Sequence, residues 1–138
     1  VADGMIDIEI CAPDRPKVAL RAKEIVVPGA EGIFAVRAGH TSLLATLSPG
    51  VLVIYDAEDK SEFYAVTGGF AEVKDDTVSI LADLFEPGDN VDQARAEEAH
   101  KRAEERLTKP SAETNVQRAE MALARSLARL NATKRQGY

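Results

Sequence analysis

The chain has no tryptophan and only seven other aromatic residues, four Phe and three Tyr, among its 138 residues, so any core it assembles is mainly aliphatic and modest in size. A single cysteine, Cys11, excludes an internal disulfide and suits a reducing compartment such as the cytoplasm. With His40 and His100 as the only histidines, no metal-binding spacing can be assembled. No run approaches the ~20 consecutive apolar residues that span a bilayer. Val1-Ala2-Asp3-Gly4 lacks the basic-then-apolar order of a secretory signal, and a cytoplasmic chain is expected.

Catalytic machinery is equally scarce. His40 lies two residues before Ser42, but no motif positions a third group to complete a nucleophile relay. Gly29-Ala30-Glu31-Gly32 lacks the lysine of a phosphate-cradling loop, and Gly68-Gly69 sits between strands rather than before a helix. The residues therefore predict a protein without chemistry of its own.

What is present divides into two parts. In the first, Ile6, Ile8 and Ile10 alternate with Asp7, Glu9 and Cys11, the pattern of a strand buried on one face. Further short apolar runs follow over residues 18–27, 33–36, 50–55, 63–66, 70–73 and 78–84, separated by turns rich in Pro, Gly and Asp. Spacing this short leaves no room for crossover helices, so a β-sandwich or flattened barrel is predicted rather than a parallel sheet. Glu86-Pro87-Gly88-Asp89-Asn90 ends the series, with Asp89 or Asn90 available to cap a helix.

The second part reads as two helical arms, residues 91–107 and 112–134, with Lys109-Pro110-Ser111 between them, where proline cannot continue a helix. Inside the first arm the apolar residues are Ala94, Ala96, Ala99 and Ala103; the second adds Val116, Met121, Leu123, Leu127 and Leu130. Alanine favours helix but buries only about one methyl, worth about 0.8 kcal/mol. These helices are expected to form readily and dock weakly, as befits a part that moves.

Charge follows the same division. Residues 1–88 carry 7 Lys and Arg against 15 Asp and Glu, a net of −8, whereas residues 89–138 carry 10 against 8, a net of +2. Arg118, Arg125, Arg129, Lys134 and Arg135 make the second arm basic, suiting an acidic surface or a polyphosphate, or simply a solvated face. On the first arm Asp92 and Arg95 share a face, with Arg102 two turns further along; on the second, Arg125 and Arg129 share one. Folded together, the arms bring guanidinium groups and a carboxylate into one place, as phosphate recognition requires, although ion pairs such as Arg102 with Glu98 or Glu105 use the same residues.

Four ordered stretches carry a family resemblance. Val27-Pro28-Gly29-Ala30-Glu31-Gly32-Ile33-Phe34-Ala35-Val36-Arg37-Ala38-Gly39-His40-Thr41-Ser42-Leu43-Leu44, Leu47-Ser48-Pro49-Gly50-Val51, Val66-Thr67-Gly68-Gly69-Phe70-Ala71-Glu72-Val73 and Val91-Asp92-Gln93-Ala94-Arg95-Ala96 resemble the epsilon subunit of F-type ATP synthases, called delta in mitochondria. The likeness covers essentially the whole chain. It implies an α+β fold, an N-terminal antiparallel β-sandwich of about ten strands over residues 1–88, then a C-terminal antiparallel two-helix hairpin over residues 89–138.

The resemblance also implies a non-catalytic rotor-stalk subunit that couples rotation of the c-subunit ring to ATP synthesis. In many bacterial members the hairpin extends along the gamma subunit into the alpha/beta catalytic head and blocks hydrolysis. Expected partners are gamma, the c-ring and that head, with no nucleic acid and only peripheral attachment to the membrane. The expected place is the cytoplasmic side of a bacterial inner membrane or the equivalent organellar face.

By this likeness Glu31, Gly32 and Ile33 fall where the family touches the ring, and His40 falls on its Gly-His step near gamma. Ile33 replaces a carboxylate found in some members, which implies an apolar ring contact; Ala38 stands where many carry proline, and Ala35 where many carry glycine. No cofactor is required and no metal is expected. Glu86, Asp92, Arg95, Arg102, Arg125 and Arg129 resemble positions at which some members bind ATP as a regulatory ligand, so a nucleotide-sensing module is the alternative reading.

Overall fold

The computed structural model describes residues 3–136. Val1, Ala2 and the last two positions of the 89–138 unit lie outside them. Ten strands come first: β1 (Ile6–Cys11), β2 (Val18–Ala22), β3 (Glu24–Gly29), β4 (Gly32–Val36), β5 (Leu43–Leu47), β6 (Gly50–Tyr55), β7 (Ser61–Val66), β8 (Gly69–Lys74), β9 (Thr77–Ala82) and β10 (Phe85–Pro87). A 3₁₀ turn, Gly88–Asn90, leads to helices α1 (Gln93–Thr108) and α2 (Val116–Thr133).

The strands run in the spatial order β10-β7-β6-β3-β5-β8-β9-β1-β2, with β4 paired to β3. Between β3 and β5 the paired register is the single position Gly29 with Leu47, and there one curled sheet bends into two facing layers. Among the described residues all pairings are antiparallel but one: β1 lies parallel to β9, in register from Asp7 with Thr77 to Cys11 with Leu81. The intervening β-rich chain supplies the long crossover that a parallel pair needs, so no helix is required.

The alternation in β1 has the predicted consequence, since Ile6, Ile8 and Ile10 are all buried. They pack with Ile25, Val27, Leu52, Ile54, Val66, Val78, Ile80 and Phe85 in the core between the layers. The apolar run at 18–27 is two strands rather than one. β2 pairs with β1 while β3 pairs with β6, and the chain passes from one layer to the other at Lys23, whose amide donates to the Tyr55 carbonyl at 2.8 Å. Two strands were not separately legible: β5, whose outer residues Leu43 and Leu44 are exposed, and the three-residue β10.

Gly69 opens β8 at a φ of 122°, and a Cβ there would lie 2.0 Å from the Leu81 carbonyl oxygen. The Gly68-Gly69 pair is therefore a close approach of two strands. β6 is unusual because Val51, Leu52, Val53 and Ile54 are all buried. Leu52 and Ile54 face the core; Val51 and Val53 face outward and, with Ala65, are covered by Ala132 of α2. The nearly continuous apolar run exists because the hairpin covers the second face of this strand.

The helix limits differ from those expected. The cap of α1 is Asp92, whose carboxylate accepts from the Arg95 amide at 3.1 Å, while Asp89 and Asn90 belong to the 3₁₀ turn. α2 begins at Val116 rather than near Ala112, because Asn115 accepts from the Arg118 amide and the preceding residues form a Ser111–Thr114 turn. Among the described residues no helix is long and apolar enough to cross a membrane.

Candidate functional site

Three places hold the residues singled out in the sequence. The first is the β3–β4 hairpin, where Gly29 pairs with Gly32 and Ala30 and Glu31 form a two-residue tip. Glu31 and Gly32 are exposed there, and Ile33 is 50% exposed. Ile33 borders a shallow cavity of ≈570 Å³ shared with Leu43 and Leu44, so the tip presents one carboxylate beside an apolar shelf. On its other side Ile33 meets Leu127 of α2 across a cavity of ≈250 Å³.

The second place is the loop before β5. The half-buried His40 ring has Nδ1 2.7 Å from the Thr41 carbonyl oxygen, and the His40 amide donates to the Arg37 carbonyl at 3.2 Å. The step is held from across the fold, because the Asp76 carboxylate accepts from the Gly39 amide at 2.6 Å and the Asp76 carbonyl accepts from the Asp7 amide at 2.9 Å. Among the described residues no hydrogen bond joins His40 to Ser42, and no His, Cys, Asp and Glu cluster fit for a metal occurs. Beyond this loop Leu44, Phe70 and Leu81 lie exposed on neighbouring strands β5, β8 and β9. Sequence reasoning missed this apolar group, whose signal is one large apolar side chain on each strand among outward polar ones such as Thr46, Glu72 and Ser79.

The third place lies where the base of the hairpin meets β10. Glu86, Asp92, Arg95, Arg102 and Arg129 line a cavity of ≈360 Å³, floored by Val91, Ala96 and Ala99. Arg129 reaches Glu86 at 3.6 Å, with both side chains less than a third exposed, and this pair ties α2 to the last strand. Arg102 donates to Glu98 at 3.0 Å, the intrahelical pair that competes with any ligand. Arg125 does not line the cavity. It shares a helix face with Arg129 only loosely, being about 6 Å nearer the tip and turned by about 40°.

The hairpin seats on the sheet through small groups. Ala132 is 1% exposed, and a Cβ on Gly88 would stand 2.4 Å from its carbonyl oxygen. Just past α2, the Arg135 guanidinium lies over the Phe63 ring at 5.1 Å and donates to the Ser61 carbonyl at 2.6 Å. Beneath this contact Tyr64 is nearly buried, and its hydroxyl donates to Glu62 at 3.3 Å. Burial, reinforced by the Glu62 carboxylate, pushes the Tyr64 phenol up to about 12.

Comparison with known proteins agrees with this architecture. The family described as "ATP synthase, Delta/Epsilon chain, beta-sandwich domain" matches residues 5–88, and "ATP synthase, Delta/Epsilon chain, long alpha-helix domain" matches residues 89–134. The chain is 39% identical over 131 residues to an ATP synthase epsilon chain of Desulfitobacterium hafniense, covering 95% of this chain and 98% of that one. It is 36% identical over 135 residues to the epsilon chain of Syntrophomonas wolfei, covering 98% of each. Among solved structures it resembles a chain of the Euglena gracilis mitochondrial ATP synthase, OSCP/F1/c-ring, with a TM-score of 0.81, 25% identity, and coverage of 95% of this chain and 82% of that one. A chain of the Tetrahymena thermophila central stalk and c-ring shares the fold at a TM-score of 0.65 and 16% identity, over 93% and 96% of the two chains. With both sequence segments and the full curled sheet and helix pair in common, the chain belongs to the epsilon-chain family of the ATP synthases.

Proposed function

We propose that this chain is the coupling element at the foot of the rotating stalk and that its hairpin is a detachable brake on ATP hydrolysis. As an ATP synthase epsilon chain it is a non-catalytic subunit of the central stalk. The division of labour falls between residues 1–88, which anchor, and residues 89–138, which regulate. Glu31, Gly32 and Ile33 touch the c-ring; His40, with the neighbouring apolar group, faces gamma; the hairpin reaches the alpha/beta head. The subunit sits peripherally on the cytoplasmic side of a bacterial inner membrane, or on the matching organellar face, and binds no nucleic acid.

The observation that carries the brake is the docking surface. α2 seats on β6 and β7 through Ala132 over Val51, Val53 and Ala65, and is tied by Arg129 to Glu86 of β10 and by Arg135 just past it to Phe63 and Ser61, whereas the sandwich is closed by isoleucine, valine and phenylalanine. Undocking uncovers Val51, Val53 and Ala65 along with the alanines of α2, far less apolar surface than the core between the layers, so it is cheap beside unfolding the sheet. The test is ATP hydrolysis by the epsilon-depleted catalytic head with the full chain or a version ending at Gly88. Both should bind and only the full chain should inhibit. If neither inhibits, the brake is lost as a reading; if neither binds, the stalk assignment is lost with it.

A second reading is favoured by the cavity at the hairpin base, which gathers five of the six residues expected at an ATP site. ATP bound by Arg95, Arg102 and Arg129, with Glu86 and Asp92 orienting them and Arg125 outside the cavity, would hold the arms down as a regulatory ligand. Millimolar ATP should then shift the backbone resonances of both arms, and unchanged resonances would eliminate this role.

A further inference from the structure

The far end of the hairpin holds a second cavity, of which the ATP reading uses Arg102 alone. It measures ≈690 Å³ and is lined by Arg102, Arg106, Lys109 and Arg118. Two carboxylates, Glu105 and Glu113, share it, so four cations face two anions. Among the described residues Arg106, Lys109 and Arg118 have no carboxylate within ion-pair distance, while Arg102 leans away to Glu98. α2 also begins here, so the positive end of its dipole adds to the field.

The lining narrows the class of ligand. Ala119 supplies the one apolar side chain at the cavity, which leaves no anchor for the side chains of a peptide. Ser111 and Thr114 bring hydroxyls, and the three guanidinium groups offer paired donors that match phosphate oxygens. Arg102 lines the base cavity as well, so its side chain borders both openings. Arg95, Arg102, Arg106 and Lys109 thus form one basic face along α1 that borders both cavities, a length of about 21 Å. A thin linear chain with a charge on every unit matches such a row of cations better than a compact anion.

We propose that the cleft between the helical arms binds a linear inorganic oligophosphate, held at the tip by Arg106, Lys109 and Arg118 and joined to the base cavity through Arg102. The tip cations Arg106, Lys109 and Arg118 do not line the base cavity, so the two readings share Arg102 and are told apart at the tip.

The test is titration of the full chain with orthophosphate, triphosphate and a polyphosphate long enough to span this row of cations, followed by backbone resonances. The longest chain should bind roughly tenfold or more tightly than triphosphate at equal phosphate concentration, with shifts centred on residues 106–118. R106Q/R118Q should abolish that gain and leave any ATP-induced shifts at Arg95 and Arg129 in place. Both arginines are exposed, and unchanged sandwich resonances verify that the fold is kept. Affinity that is independent of chain length, a gain that survives R106Q/R118Q, or equally tight binding of a polyglutamate of the same charge would each overturn the proposal.

Discussion

The two halves of this molecule bury different things. Between the sheet layers the enclosed side chains are Ile6, Ile8, Ile10, Ile25, Ile54, Ile80, Leu52 and Phe85, with valines between them. Along the hairpin, among the described residues, they are Ala96, Ala103, Ala119, Ala128 and Ala132, with Leu130 the one large aliphatic and Ser126 the one polar residue. Full burial of an isoleucine contributes roughly 1.5–3 kcal/mol and of an alanine methyl about 0.8, so stability is concentrated in the sheet. The helices owe their form to local propensity and caps, and their position to a few small contacts. A region that is ordered by itself yet weakly attached can change place without unfolding.

The contrast would break first in the core. Ile80→Ala should cost about 2–5 kcal/mol and lower the urea midpoint of the whole chain, because its cavity opens between the layers. A loss confined to the hairpin would contradict the division. Next in size is Gly88→Ala, whose methyl would meet the Ala132 carbonyl at 2.4 Å. Moving the neighbours apart costs about 1–3 kcal/mol, and it should fall on docking alone. Amide exchange should quicken at Val51, Val53 and the end of α2 while the slowest sheet amides stay unchanged.

Arg129→Gln sharpens the comparison with a smaller effect. It removes the partner of Glu86 in a half-buried pair, and about 0.5–1 kcal/mol of docking free energy is expected to be lost, read from the same exchange rates.

The smallest effect at neutral pH comes from Tyr64. Its folded phenol titrates at about 12 against 10.0 for the free group, so between these values the unfolded chain has released a proton that the folded chain keeps. Stability from this group is therefore complete below pH 10 and declines as pH rises toward 12. Tyr64→Phe should flatten that alkaline decline in a denaturation series and leave its slope elsewhere unaltered.

Legibility in the sequence followed the range of the interaction. The strand at Ile6, Ile8 and Ile10, the break at Pro110 and the alanine arms could be read directly, since alternation, ring sterics and helix propensity act within a few residues. The double-sided burial of Val51, Leu52, Val53 and Ile54 was visible as an apolar run but pointed to no partner, because the covering residue, Ala132, lies some eighty positions away. Cap positions slipped because Asp89, Asn90 and Asp92 are all competent caps, and the 3₁₀ turn at Gly88 decides between them.

By itself, then, the sequence determined two kinds of local structure, their order along the chain and the split of charge between them. Only the tertiary structure decided that β1 lies parallel to β9, that β3 and β5 join at Gly29 and Leu47, that Glu86 meets Arg129, and that Arg125 stays outside their cavity. Those outcomes depend on distant side chains fitting against one another, and a fit of a few ångströms is set by the whole packed interior rather than by any local pattern.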